Sequence, residues 1–203
     1  MFAVGTGSLE LVSAALTAGS SIPYLVAIRR GSVRPQRTSW LVFASLSAIA
    51  AVAQIQAGST AGAWLAAGSA AGFAAIFVCS LWCGVGGWDW ADRGTLAIAV
   101  VGVGLLLLGH PVVALVAVIA AEIAAAALTV RKVAAAPYEE VCTSWSIDAV
   151  AGVVALAAVA NSRSVDAVYP VHHILVNLWV AAVVLRARTR LHRVATIGSA
   201  ARP

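Results

Sequence analysis

Seven apolar stretches, each close to the length of a membrane span, alternate along the chain with short polar segments. They run over residues 9–29, 39–57, 61–83, 94–109, 111–131, 143–161 and 169–187. A spanning helix needs about 20 mostly apolar residues, so the pattern predicts seven transmembrane helices. The fourth is short, and His110-Pro111 divides it from the fifth with almost no loop. Glu10 interrupts the first stretch early, and no cluster of basic residues precedes it. The first stretch therefore reads as a retained helix, not a secretory leader.

The tripeptide Thr38-Ser39-Trp40 returns as Thr143-Ser144-Trp145. Each copy follows a charged loop and opens a new apolar stretch. Beyond it, Ala44, Ala50 and Ala53 find Ala149, Ala155 and Ala158 at matching offsets. The repeat divides the chain into a first triple-helix bundle (1–84), a linker helix (85–110), a second bundle (111–190) and a cytoplasmic tail (191–203). With an odd linker both bundles keep the same orientation, a parallel repeat of the kind that places solute sites between its halves.

Composition agrees with the hydropathy pattern. Of 203 residues 62% are hydrophobic and 10% charged, against about 25% charged in soluble domains, so lipid is the expected solvent. Basic residues fix the expected orientation. Arg29, Arg30, Arg34, Arg37, Arg93, Arg131, Lys132, Arg186, Arg188, Arg190, Arg193 and Arg202 fall on one side of a seven-span chain, and only Arg163 falls on the other. The N-terminus is expected outside and the C-terminus in the cytoplasm, in a multi-pass protein of the plasma membrane. The net charge of +5 is spread among loops and does not point to nucleic acid. Trp82, Trp88 and Trp90 read as an aromatic belt at the inner interface.

The 3+1+3 organisation, the stretch Ile22-Pro23-Tyr24-Leu25-Val26-Ala27-Ile28-Arg29-Arg30-Gly31-Ser32 and the following Ser39-Trp40 resemble the SWEET and PQ-loop superfamily. Pro23 and Tyr24 stand by spacing where that superfamily has Pro-Gln, while the literal Pro35-Gln36 lies in the following loop. The resemblance implies an all-α, SWEET-like membrane fold and transport by alternating access. In that reading Pro23 is a hinge, Asn177 is a mid-depth amide that holds the solute, and Ser69 is its partner in the first bundle; the residues alone equally allow Pro23 as a static kink or a proline near the helix end, and Asn177 as an interhelical structural hydrogen bond.

Several polar residues invite a role. Glu10, Ser13, Thr17, Ser20 and Tyr24 recur at steps of three and four on one helix face. Lipid cannot satisfy such a stripe, which either lines a solute path or packs helices closely. Glu122 sits mid-helix among alanine, isoleucine and leucine, where a charge costs a few kcal/mol. It must be protonated, paired or facing water, as a proton carrier, a hook for solute or a structural hydrogen-bonding group. Asp148, three residues past Trp145, has Phe43 as its counterpart. Its roles are coupling, or an ion pair with Arg131, Lys132 or an arginine of the first loop. Trp40 and Trp145 read as a pair flanking the inner vestibule or as interfacial anchors. Gln54 is a gate or a solvated rim residue. His172 and His173 read as interfacial. The expected binding set is thus Asn177, Glu122, Ser69, Ser20, Tyr24, Trp40 and Trp145, with Pro23, Glu122, Asp148 and Gln54 for gating or coupling.

No cofactor or metal is expected: Cys79, Cys83 and Cys142 read as inert thiols. Nor is an enzyme, since no nucleophile triad or paired carboxylate stands out. A retinal protein needs a lysine in its last helix, and the one lysine is Lys132. The expected partners are lipid, a small polar solute (a sugar, amino acid or vitamin-like compound) and, if transport is coupled, protons. The alternative is a seven-helix receptor or assembly subunit without transport.

Overall fold

A computed structural model describes residues 6–86, 90–159 and 164–200. They form seven α-helices: α1 (Thr6–Arg29), α2 (Arg37–Ala57), α3 (Thr60–Cys83), α4 (Trp90–Leu107), α5 (Pro111–Ala135), α6 (Cys142–Ala158) and α7 (Val168–Ala200). Two short 3-10 turns precede α6 and α7. Five helices, α1, α2, α3, α5 and α7, are long and apolar enough to cross a membrane, and α6 is a shorter apolar helix. Large apolar side chains such as Leu11, Ile22, Ile55, Leu107, Val150 and Leu175 face outward, as lipid solvation requires. The chain has the character of a multi-pass membrane protein.

Helix ends follow local chemistry. The Gln36 side chain caps α2 by accepting from Ser39 N. Gly58 ends the helix in the left-handed region (φ 78°), a conformation that costs glycine little. Pro111 opens α5 at a position where its missing N–H is no loss. Arg37 ties the start of α2 to the end of α3, its Nε donating to Ser80 O (3.0 Å) and its Nη2 to Gly84 O (2.9 Å).

The packing order places α3 against both α1 and α2, and α7 against both α5 and α6. Taking α1–α3 as one half and α5–α7 as the other, the seam between them is formed by α1 on α6 and α2 on α5, while α4 rides on α5 and α2. Small residues let α1 and α3 close up: a Cβ on Gly68 would stand 2.4 Å from Ala14 O, the packing by small residues seen between membrane helices. A single apolar cluster runs through both sides of the seam, from Tyr24 and Leu46 to Val118 and Val184.

Two expectations change. The last helix runs to Ala200 instead of ending near 187: the segment beyond it holds Arg188, Arg190, Leu191, Arg193 and Ala195, all strong helix formers, and no proline before Ala200. His172 and His173, read as interfacial, are 8% and 4% exposed. They lie on the face of α7 that also carries Tyr169, Asn177, Val180 and Val184, and that whole face is buried. Trp82 and Trp90 are exposed. Trp88, Arg163 and Arg202 lie outside the described residues.

Candidate functional site

A cavity of ≈10 Å³, the room of about one water molecule, sits where the two halves meet. The first half contributes Phe43 from α2 and Phe73 from α3. The second contributes Glu122 from α5, Trp145 from α6, and His172, His173, Val176 and Asn177 from α7. Glu122, Asn177 and Trp145, chosen from the sequence, therefore meet at one place.

Glu122 is 5% exposed. Its Oε2 lies 2.7 Å from His172 Nε2, and Tyr169 OH and Ser47 Oγ each lie 3.4 Å from Oε1. The carboxylate is paired, which answers the cost of placing it at this depth. Asn177 donates from Nδ2 to His173 O (2.8 Å), a bond along its own helix that turns the amide and leaves Oδ1 without a partner.

Asp148 stands behind the cavity. Its Oδ1 accepts from Thr17 Oγ1 of α1 at 2.6 Å and lies 3.8 Å from His173 Nε2. This replaces the expected ion pair with Arg131, Lys132 or a first-loop arginine: Lys132 is engaged elsewhere. Ser69 reaches the same network through Thr17 (3.1 Å between hydroxyl oxygens). The helix-one stripe is buried at Ser13, Thr17, Ser20 and Tyr24. Ser20 bonds Thr17 O within its own helix, a packing role.

One end of the seam is sealed by rings. Trp40 lies 4.7 Å from Tyr24, 5.4 Å from Phe73 and 6.1 Å from Trp145 by ring centroid. Both tryptophans are buried, which removes the reading as interfacial anchors. Beneath them Glu140, 2% exposed, accepts from Trp145 Nε1 (3.0 Å), Lys132 Nζ (3.1 Å) and Tyr24 OH (3.4 Å). Glu140 was not among the residues singled out from the sequence. The signal was Lys132 eight positions earlier in a chain with one lysine.

Gln54 is buried against Gly62 of α3, inside the first half and away from the cavity. Pro23 lies within α1, which continues through it to Arg29. Among the described residues no three His, Cys, Asp or Glu gather as a metal ion would need.

The arrangement brings two carboxylate–histidine contacts, an unpaired amide oxygen and three aromatic rings around one small space. Compared with protein-family models, with curated proteins and with solved structures, the chain matches none.

Proposed function

We propose that the chain is a membrane transporter that moves a small polar solute by alternating access between two triple-helix units. The observation that carries the reading is the cavity at the seam, with buried polar groups facing it and an aromatic and charged seal on one side.

A 3+1+3 parallel repeat is part of the proposal, and the packing supports it. Exchanging each helix of the first unit for the one four later turns α1–α3 into α5–α7, α2–α3 into α6–α7, and α1–α6 into α5–α2, all of which pack together. The side chains follow suit. Thr17 lies 23 residues before Trp40, and Glu122 lies 23 before Trp145. Each faces the seam, Thr17 toward α6 and Glu122 toward α2.

In this reading the small space at the seam is the occluded stage of the cycle. Opening at the Trp40–Trp145 end admits solute from the arginine-rich side, and opening at the far end admits it from the other. Protons couple to the cycle through Glu122–His172 and His173–Asp148. The orientation is N-terminus outside and C-terminus inside, in the plasma membrane.

The test is flux. Purified protein in liposomes is given a labelled panel of sugars, amino acids, amines and vitamin-like compounds, with and without a pH gradient. Saturable uptake above protein-free liposomes is expected for one class. Binding without flux across the panel sinks the transporter reading and leaves a receptor. Orientation is read separately: a cysteine at Tyr138 should react with impermeant maleimide only from the cytoplasmic face, and one at Leu108 only from outside.

A further inference from the structure

The cavity is lined by a carboxyl group, an amide, two histidines and apolar side chains. Glu122 lines it, Asp148 stands one side chain behind, and no lysine or arginine is among its lining residues. Glu122 is faced by His172 and Tyr169 from α7 and by Ser47 from α2. Asp148 is faced by His173 from α7 and Thr17 from α1. Lys132 is held at Glu140. Histidine rings, His172 at 2.7 Å from Glu122 and His173 at 3.8 Å from Asp148, are what faces the two carboxyl groups here.

Two polar atoms that belong to lining residues lack hydrogen-bond partners. Asn177 Oδ1 is one, and His173 Nε2 is the other, with Asp148 Oδ1 at 3.8 Å. Asn177 is 3% exposed and His173 is 4% exposed. A buried polar atom without a partner costs free energy, so a ligand that hydrogen-bonds to it relieves that cost. An amide oxygen and a carboxylate only accept hydrogen bonds. Phe43, Phe73 and Trp145 also line the cavity, and aromatic rings attract cations at their faces. Such a lining selects a positively charged N–H donor. The space, ≈10 Å³, admits about one heavy atom with its hydrogens.

We propose, on the basis of the transporter reading, that the cavity seats a primary ammonium group, as the ammonium ion itself or as the head of a small primary amine. Its hydrogens go to Asn177 Oδ1 and the Glu122 carboxylate, and its charge replaces the proton shared by Glu122 and His172. One cation entering releases one proton, and protons compete with the cation.

The experiment uses the full chain in detergent. Ammonium, methylammonium and propylammonium chlorides are titrated while tryptophan fluorescence, thermal unfolding and proton release are followed. Sodium chloride, propan-1-ol and sodium propionate are the controls. Saturable binding of the ammonium salts alone, with proton release, is expected. Asn177→Leu should weaken it by about tenfold or more, the worth of a hydrogen bond to a charged group, and Asn177→Asp should tighten it. Binding of ammonium but not propylammonium assigns the ion as cargo, and binding of both assigns an amine head.

An equal response to the controls, no binding, or unchanged affinity in both Asn177 variants overturns the assignment. Ammonium binding without flux in liposomes ends the transporter reading but leaves the site. Sugar flux without ammonium binding does the reverse.

Discussion

Trp40 and Trp145, 105 positions apart in the chain, meet across the seam with ring centroids 6.1 Å apart and planes 33° from each other. Each begins its own helix within the first turn. Trp145 also donates to Glu140. Trp145→Ala should therefore destabilise the protein by about 3–5 kcal/mol through the lost ring. Trp145→Phe keeps most of the packing and loses the indole donor, for about 1–3 kcal/mol. Unfolding in detergent measures both, and equal stability of the alanine variant would show that the rings do not hold the seam.

Glu122→Gln removes the charge that faces His172 while keeping size and hydrogen bonding. In the transport reading, accumulation driven by a pH gradient should vanish while solute exchange at equal pH persists. Loss of both activities, or of neither, removes Glu122 from the coupling step. Uptake and counterflow in proteoliposomes separate the cases.

Gly68 and Gly72 both face α1, and their surroundings differ. A Cβ at Gly68 meets Ala14 O, a backbone atom, at 2.4 Å, whereas at Gly72 it meets Ser21 Oγ at 2.1 Å. The serine can rotate and the backbone must shift. Gly68→Ala is expected to cost about 1–3 kcal/mol by overpacking, and Gly72→Ala less. Unfolding of the two variants under one condition tests the order.

Thr17 and Asp148 join the halves directly. Thr17→Val leaves a buried carboxylate short of a donor and should cost about 1–3 kcal/mol. In a double-mutant cycle with Asp148→Asn, the two changes should be non-additive by at least about 0.5 kcal/mol. Additive effects would mean that the contact contributes nothing across the seam.

The helices were legible because apolar blocks and arginine-bearing loops alternate, and lipid solvation admits few other readings of such blocks. Glu122 and Asn177 stood out for the same reason: an ionisable or amide side chain at mid-depth has to face protein or water. What went unread depends on neighbours from other helices. His172 and His173 lie near the start of a helix, where exposure is the ordinary expectation, and α5 and α6 bury them. Their spacing to Tyr169, Asn177, Val180 and Val184 was the available clue. Glu140 sits in a loop, and only the fold brings Tyr24, Trp145 and Lys132 onto it. Gln54 packs against Gly62 in its own half, which the sequence does not reveal because a face of α2 cannot be told from its opposite by polarity alone when both are apolar.

The length of α7 has a mechanical consequence. The helix has 33 residues, so it extends about 50 Å where the hydrocarbon layer is about 30 Å thick. The turns that bear His172, His173 and Asn177 are continuous with the arginine-rich turns beyond. About 35 Å of straight helix separates Asn177 from the end of α7, and over that lever a tilt of about 10° swings the tip by about 6 Å. Rearrangements around the amide are thereby magnified at the end of α7, beyond its last arginine, where a distance probe can read them without touching the interior.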